Sequence, residues 1–162
     1  ILGYGGAARA VVVGCAELGC REIRIVGRSR EKLEQFKLSW QNTPLADLLR
    51  IHSWDELPGL VSQTQCAINT TPVGMAPDSD RSPLAVEVAE RLSPDAIAYD
   101  LIYTPRPTQF LQQARSRGAT IIDGTEMLVQ QGAAALQIWL QQPVPIGVMR
   151  QALLEQLGGN SN

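Results

Sequence analysis

Several glycines near the start of the chain have the spacing of a phosphate-binding turn. They belong to the run Gly3, Tyr4, Gly5, Gly6, Ala7, Ala8 and Arg9. In a turn of this type the first glycine permits a tight bend, and the second lets the backbone approach a pyrophosphate. Ala8 would then keep the following helix close to the strand, so that the free N–H groups of the helix face the phosphates. The spacing predicts a dinucleotide site, with an ordinary glycine-rich turn as the alternative.

A phosphate-binding turn needs a strand in front of it to aim the loop. Only Ile1 and Leu2 precede Gly3, and two residues can form no more than the end of such a strand. We therefore expect the first strand of the domain to be truncated.

A basic turn follows the second predicted strand. It consists of Gly27, Arg28, Ser29 and Arg30, with Lys32 shortly after. Domains that prefer NAD carry an acid near this point, which binds the ribose hydroxyls. Two guanidinium groups and a hydroxyl would instead bind a 2′-phosphate. The turn therefore predicts NADP as the cofactor. The alternative is a solvated helix start whose basic side chains are merely exposed.

Three further motifs each follow a predicted strand. They are Asn69-Thr70-Thr71-Pro72-Val73-Gly74-Met75, the segment 100–108 with Tyr103, and the segment 123–133 with Gln131. The carboxyl ends of parallel strands share the sheet edge at which such sheets bind ligands. The hydroxyls of Thr70 and Thr71 are therefore candidates to line the dinucleotide cleft. From the residues alone, the first motif is also a common turn, Tyr103 a half-buried aromatic residue and Gln131 a solvated helix residue.

Apolar runs of strand length alternate with longer amphipathic segments, which is typical of repeated strand–helix units on a parallel sheet. We predict an α/β fold for residues 1–162, a Rossmann-like doubly wound parallel sheet with helices on both faces. The predicted strands are Ile1–Leu2, Ile23–Val26, Leu49–His52, Cys66–Asn69, Ile97–Leu101 and Thr120–Ile122. The first predicted helix has Ala7, Val11, Cys15 and Leu18 on its apolar face, and the second is capped by Ser29 and contains Leu33 and Phe36. The other predicted helices are 84–92, 108–117, 127–140 and 147–157. A polar end follows from Gly158 to Asn162.

The composition fits one folded domain and excludes several function classes. Of the 162 residues, 44% are hydrophobic, which is sufficient for a core without metals or disulfides. The formal net charge is -2 and the basic residues are spread along the chain. This distribution gives no electrostatic basis for binding nucleic acid or an anionic membrane. No stretch approaches the ~18 apolar residues of a membrane span.

The cysteine and histidine pattern argues against a metal site and a disulfide framework. Cys15, Cys20 and Cys66 have no Cys-x-x-Cys spacing, and His52 is the only histidine. We expect the three cysteines to be small core residues, as buried free thiols usually are.

Together, these motifs resemble the C-terminal, NADP-binding domain of the shikimate dehydrogenase family. Five separated signatures match in order: Gly-x-Gly-Gly-Ala-x-Arg, the basic turn, Asn-Thr-Thr-Pro-x-Gly-Met, Asp-x-x-Tyr-x-Pro-x-x-Thr and Asp-Gly-x-x-Met-Leu-x-x-Gln-Gly-Ala. They cover the chain nearly from end to end. The resemblance implies an oxidoreductase that reversibly reduces 3-dehydroshikimate to shikimate with NADPH, in chorismate and aromatic amino-acid biosynthesis.

The resemblance also implies roles for individual residues. The cofactor-binding residues would be Gly3, Tyr4, Gly5, Gly6 and Ala7 at the pyrophosphate, Gly27, Arg28, Ser29, Arg30 and Lys32 at the adenosine end, and Leu101 and Gly124 at the nicotinamide side. Tyr103 and Gln131 would reach the hydroxyls or carboxylate of shikimate. One position departs from the family pattern, because the family commonly has Asn where this chain has Gly27. A side-chain contact to the adenosine ribose is thereby lost, while Arg28 and Ser29 keep the phosphate-binding pattern.

The catalytic lysine and aspartate of the family belong to an N-terminal substrate domain, and no residue of this chain matches them. The resemblance implies that domain as a partner of this one. We expect Asp100 and Asp123 to have a structural role, in which they hold the strand-end loops through backbone N–H groups. We expect the last helix, with Trp139 near it, to pack against the substrate domain. The 162 residues alone are expected to bind NADP weakly and to be inactive.

The sequence leaves several alternative functions open. One is a quinate/shikimate dehydrogenase that prefers NAD, which the missing acid near Arg28 disfavours. Another is a non-catalytic NADP-sensing module on the same fold, and a third is a domain of a multifunctional aromatic-pathway protein. We expect a cytoplasmic location, or a plastid location for a plant protein, and a homodimer is also open.

Overall fold

A computed structural model describes residues 1–158 of the chain. Within them, parallel strands form the centre of an α/β fold and helices cover them, as the alternating pattern predicts. The strands are β1 (Ile23–Gly27), β2 (Leu49–Ser53), β3 (Cys66–Asn69), β4 (Ile97–Asp100) and β5 (Thr120–Ile122). The helices are α1 (Gly6–Glu17), α2 (Arg30–Leu38), α3 (Leu57–Val61), α4 (Val86–Ala89), α5 (Gln109–Ser116), α6 (Thr125–Leu140) and α7 (Ile146–Gly158). Of the predicted polar end, residues 159–162 lie outside the described part.

Leu2 joins two groups of strands into one sheet. β1 pairs with β2, and β3 pairs with β4, which pairs with β5, all in parallel. Leu2 bridges to Val26 of β1 on one side and to Asn69 of β3 on the other. If the segment at Leu2 counts as the first strand, the order across the sheet is third, second, first, fourth, fifth and sixth. This is the strand order of the doubly wound Rossmann fold, so the predicted fold class is confirmed.

Apolar side chains pack on both faces of this sheet. Successive residues of a strand point to opposite faces, so Ile25 and Val26 of β1 belong to different cores. The core around Ile25 is shared with α1, α2 and β2, through Ala8, Val12, Leu33, Phe36 and Leu49. The core around Val26 is shared with β3, β4 and the helices α3, α4 and α5, through residues that include Leu57, Ala67, Ala89, Ala98 and Phe110.

The buried face of α1 differs from the predicted one by one position. The prediction placed Ala7, Val11, Cys15 and Leu18 on the apolar face. Ala8 and Val12 are fully buried, and Cys15 packs half-buried against the same core, but Ala7 is exposed and Leu18 is 85% exposed. Small and apolar residues occupy most positions of α1, so the periodicity does not single out one face. The helix is confirmed, and so is its end at Gly19, which has a φ of +80°. The predicted apolar face is wrong at Ala7 and Leu18.

The segment 54–92 also departs from the prediction. The predicted helix 84–92 is reduced to α4, which starts at Val86. It ends early because the N–H groups of Arg91 and Leu92 bind the carbonyls three residues earlier instead of four. This tightening precedes Pro94, and a proline disfavours the helical conformation in the residue before it. The short helix α3 was not predicted at all.

The prediction that all three cysteines are core residues is wrong for Cys20 and Cys66. Cys20 and Cys66 are exposed, and Cys15 is half-buried. Cys20 follows the turn that ends α1, and Cys66 is the first, exposed residue of β3. Partial burial raises the pKa of the Cys15 thiol to about 11.

A salt bridge fastens α7 to α6. Arg150 donates from Nε to Oε2 of Glu126 at 2.7 Å and from Nη2 to Oε1 at 2.6 Å. These hydrogen bonds and one from Gln130 lower the pKa of Glu126 to about 2. The two helices expose the apolar side chains of Ile138, Trp139, Leu140, Val148 and Leu154, which we call the α6–α7 patch. None of the helices within residues 1–158 has the length and apolar character needed to cross a membrane.

Val12 and Val13 form a matched pair for testing the face of α1. Val12 is fully buried, whereas Val13 is 40% exposed. Val12→Ala removes two methyl groups from the core and should lower the free energy of unfolding by about 2 kcal/mol. Val13→Ala should change it by less than about 0.5 kcal/mol. Urea unfolding followed by circular dichroism measures both, and equal losses would contradict the assigned face.

Candidate functional site

Gly3 lies against Thr70 where the first strand ends. Gly3 has a φ of +105°, and a Cβ at this position would lie 2.7 Å from Thr70 Oγ1. The Thr70 hydroxyl donates to the carbonyl oxygen of Leu2 at 2.7 Å, and the Thr70 N–H donates to the same oxygen at 3.0 Å. Both the backbone conformation and the available space therefore require glycine at this bend.

The start of α1 is open and electropositive. Gly5 precedes the helix, and no side chain caps the first turn. A Cβ at Gly5 or Gly6 would have no neighbour within 4 Å. Because the first turn also lacks acidic residues, its free N–H groups and the helix dipole give a positive potential. This turn, which also contains the exposed Ala7, can bind a phosphate group.

Arg9 ends the glycine motif but points away from the phosphate turn. Its Nη1 donates to Ser39 Oγ at 2.6 Å, and its guanidinium lies 4.8 Å from the ring centre of Phe36. Arg9 therefore ties α1 to α2 rather than contributing to the phosphate turn.

The basic side chains after β1 differ in how they are engaged. Arg30 donates from Nε to Glu34 Oε1 at 2.8 Å. In the part of the chain that the structure describes, Arg28 has no carboxylate within salt-bridge distance. Its guanidinium instead lies 5.9 Å from the ring centre of Trp54. Arg28 is thus the guanidinium of this turn whose donors are available to an anion.

Ser29 and Lys32 complete the basic turn. The hydroxyl oxygen of Ser29 accepts a hydrogen bond from the Lys32 N–H at 3.3 Å and caps α2, as predicted. The cap uses an acceptor site of the hydroxyl, so its O–H can still donate. The Lys32 side chain is exposed.

Trp54 follows the neighbouring strand and lies beside the basic turn. It was not predicted as a site residue from the sequence. Ser53 lies opposite Gly27 in the register of β1 and β2, so the next residue emerges beside Arg28. The turn is held by Glu56, which accepts from the Ser53 N–H at 2.7 Å and binds His52 Nδ1 at 2.8 Å. These hydrogen bonds lower the pKa of Glu56 to about 2, and the bond with His52 has the largest effect. The Ser-x-x-Glu spacing is the sequence signal that could have located this turn.

A buried polar network connects two of the strand-end loops. Asp100 is fully buried. Its Oδ1 accepts hydrogen bonds from Asn69 Nδ2 at 3.0 Å and from the Ile102 N–H at 3.1 Å. Its Oδ2 accepts a hydrogen bond from the Thr108 hydroxyl at 2.7 Å. Asn69 in turn accepts from the Thr71 hydroxyl at 2.7 Å. Burial raises the pKa of the Asp100 carboxyl, although the three hydrogen bonds oppose the rise. Asp100 therefore has the structural role that the sequence predicts.

The ends of β4 and β5 touch through backbone atoms. A Cβ at Gly124 would overlap the carbonyl oxygen of Leu101, and the Gly124 N–H donates to the Ile102 carbonyl at 3.1 Å. Asp123 accepts from the Thr125 N–H at 2.9 Å and from Arg106 Nε at 2.8 Å. Partial burial works against ionisation, but the hydrogen bonds from Thr125 and Arg106 outweigh it and lower the pKa of Asp123.

The remaining predicted site residues are on the surface around these loops. Thr70 and Thr71 are half-buried, and their hydroxyls donate within the loop, to the Leu2 carbonyl and to Asn69. They shape the loop rather than present free O–H groups. Tyr103 is 38% exposed two residues after Leu101, and Gln131 is exposed on the second turn of α6.

Comparison with known proteins identifies relatives of this chain. A family model described as the C-terminal domain of shikimate 5′-dehydrogenase matches residues 124–154. The shikimate dehydrogenase (NADP(+)) of Microcystis aeruginosa (strain NIES-843 / IAM M-2473) is 65% identical over 156 residues, which are 96% of this chain and 54% of that protein. The chain is a homologue of the shikimate dehydrogenases. It spans about half the length of the curated relatives that it matches.

Two solved shikimate dehydrogenases share the fold of this chain. The shikimate 5-dehydrogenase of Listeria monocytogenes, in complex with shikimate and NAD, has a TM-score of 0.81 at 27% identity; the match covers 94% of this chain and 54% of that one. A shikimate dehydrogenase in complex with NADP+ has a TM-score of 0.79 at 34% identity; the match covers 96% of this chain and 53% of that one. The homology inferred from the five sequence signatures is confirmed over nearly the whole chain.

Removal of the Asp100 carboxylate tests the polar network. Asp100→Ala would leave the donors of Asn69, Ile102 and Thr108 buried without this acceptor, so the free energy of unfolding should fall by about 3 kcal/mol. Asp100→Asn keeps the shape and one carbonyl oxygen and should cost about 1 kcal/mol. The exposed Asp95 is the matched control, and Asp95→Ala should cost less than about 0.5 kcal/mol. Urea unfolding measures all three, and equal losses in Asp100→Ala and Asp95→Ala would contradict the structural role.

Proposed function

We propose that the chain is the cofactor-binding part of an NADP-dependent shikimate dehydrogenase, which interconverts 3-dehydroshikimate and shikimate. Curated relatives carry the name shikimate dehydrogenase (NADP(+)). The observation that carries the proposal is the combination of an open phosphate turn at Gly5 and Gly6 with the guanidinium of Arg28, which has no carboxylate partner among residues 1–158.

The residues around the turn fit a dinucleotide phosphate. A Cβ at Gly5 or Gly6 would meet nothing, which leaves room for a bulky anion against the helix N–H groups. A 2′-phosphate would take charge-assisted hydrogen bonds from Arg28 and a further one from the Ser29 hydroxyl. When bound, NADPH supplies the hydride for the reduction. This chain would contribute binding and orientation of the cofactor.

We assign the nicotinamide and substrate ends to the other side of the sheet edge. The close contact between Leu101 and Gly124 brings the end of β4 to the start of α6, and these two residues would border the nicotinamide. Tyr103 is exposed in the loop that follows β4, and Gln131 is exposed on α6. A phenol and an amide can both donate and accept hydrogen bonds, which suits the hydroxyls and carboxylate of shikimate.

Proton transfer would need residues from an N-terminal substrate domain of the same enzyme. The only lysines of this chain are Lys32 and Lys37, both on α2 beside the proposed adenosine end. The α6–α7 patch, with Trp139 76% exposed, is the surface that we propose packs against that domain, since large exposed apolar patches mark interaction sites. The whole enzyme would act in aromatic amino-acid biosynthesis in the cytoplasm.

Substitution of Arg28 tests the choice of cofactor. Arg28→Ala removes the guanidinium proposed to bind the 2′-phosphate, so the Kd for NADP should rise about 10- to 100-fold. The Kd for NAD, which lacks this phosphate, should change less than about threefold. Calorimetric titration of the chain measures both constants. Arg115→Ala, at an exposed position on α5, is the control; an unchanged NADP affinity in Arg28→Ala would contradict the assignment.

The chain alone should bind NADPH without catalysing the reaction. The Lys and Asp that transfer the proton in the family match no residue here, so a mixture of the 162-residue chain, NADP and shikimate should give no increase in NADPH absorbance. A full-length relative assayed under the same conditions serves as the positive control. A shikimate-dependent rate from the chain alone would show that these 162 residues contain the proton-transfer group.

A further inference from the structure

Gly27, the last residue of β1, is in contact with the ring of Tyr4. A Cβ at Gly27 would overlap the Cδ1 and Cε1 atoms of Tyr4 and would lie 3.1 Å from Leu33 Cδ2. Gly27 is not among the residues with positive φ, so its backbone conformation would accept any residue. What requires glycine at this position is the space taken by the tyrosine.

Tyr4 approaches Gly27 from the phosphate turn. Its neighbours Gly3 and Gly5 fix the bend and the start of α1, and its half-buried ring packs on the core that contains Leu33. An aromatic ring with two rotatable bonds that is packed in this way is rigid. Tyr4 therefore occupies the volume that a side chain at position 27 would otherwise fill.

Position 27 lies where side chains of a Rossmann fold usually bind the adenosine ribose. In this fold an acid at the end of the second strand binds the ribose hydroxyls of NAD, or a nearby arginine accommodates the 2′-phosphate of NADP. If the segment at Leu2 counts as the first strand, β1 is the second strand along the chain. It ends at Gly27, and Arg28 follows directly. The tyrosine thus stands at the point that decides between the two cofactors.

We propose that Tyr4 is a specificity-determining residue, whose ring replaces the side chain at position 27 as the surface under the adenosine ribose. By filling this volume, Tyr4 excludes an acid from position 27 and leaves recognition of the ribose 2′-position to Arg28. This inference rests on the proposed function, because it concerns how the same site distinguishes NADP from NAD.

Because Tyr4 and Gly27 share this space, the energetic effects of substitutions at residues 4 and 27 depend on each other. Gly27→Asp alone should fail to create an NAD site, because the new carboxylate collides with the Tyr4 ring. Tyr4→Ala removes the ring and leaves room for the acid. The two substitutions together should therefore produce a site that neither produces alone, which is the signature of residues in direct contact.

A double-mutant cycle on the chain tests this dependence. Wild type, Gly27→Asp, Tyr4→Ala and the double variant are titrated with NADP and with NAD by calorimetry, and their thermal unfolding is recorded. Gly27→Asp should unfold at a lower temperature than wild type and bind both cofactors about tenfold more weakly. The double variant should regain thermal stability relative to Gly27→Asp and bind NAD about tenfold more tightly than wild type does, with weaker binding of NADP.

Two alanine variants control for the addition of a Cβ. Gly27→Ala should lower the unfolding temperature, and Tyr4→Ala should relieve that loss. Gly14→Ala adds a Cβ on α1 where nothing lies within 4 Å and should not lower it. If Gly27→Asp does not fold, its rescue by Tyr4→Ala supports the inference by the same reasoning.

Two results would overturn the inference, and they differ from a failure of the proposed function. One is additivity, in which the effects of Tyr4 and Gly27 substitutions on stability and cofactor affinity simply sum. The other is a Gly27→Asp variant as stable as wild type with unchanged NADP affinity. If wild type binds neither cofactor, the proposed function and the ribose-reading role both fail, and the unfolding temperatures still report whether the two residues are coupled.

Discussion

Backbone hydrogen bonds of Leu2 and its two neighbours hold the two groups of strands together in one sheet. The Leu2 N–H donates to the Ile68 carbonyl at 2.8 Å, and the Leu2 carbonyl accepts from Thr70 at 3.0 Å. On the other side, the Gly3 N–H donates to the Val26 carbonyl at 2.9 Å. Without these bonds β1 and β2 would form one ladder, and β3, β4 and β5 another. The bonds also place the glycine turn at the topological switch point, where the strand order reverses and open α/β sheets bind their ligands.

The loops around this point are positioned by polar groups that bind one another. The Asp100 carboxylate collects donors from Asn69 and Thr108, and the Glu56 carboxylate holds the turn that carries Trp54. The Asp100 carboxylate is buried and is tolerated only because its hydrogen bonds are made. The Glu56 carboxylate is exposed and holds its turn through the capping box with Ser53. The result is a preformed edge on which the turn at Gly5 and the guanidinium of Arg28 stay accessible.

Local patterns made much of this structure predictable, and tertiary packing explains what they did not. Strands β3 and β5 and the caps Ser29 and Thr108 follow from short runs and single side chains, whose signals are local. The prediction of the buried face of α1 was wrong at Ala7 and Leu18 because the apolar residues of that helix surround its axis. The turn at Gly3 selects the face that is buried. Trp54 was missed because strand register, not spacing along the chain, brings it to Arg28. The contact between Tyr4 and Gly27 joins residues 23 positions apart and has no sequence periodicity.

The proposed function requires that the phosphate turn and the basic turn bind one NADP molecule together. Titration of the isotope-labelled chain with NADP, followed by amide chemical shifts, tests it most directly. We expect the largest shift changes in both segments, 3–8 and 27–32, and saturation of both at a single shared Kd, while the amides of α5 stay unchanged. Shift changes that spare either segment, or that saturate at different concentrations in the two, would contradict it.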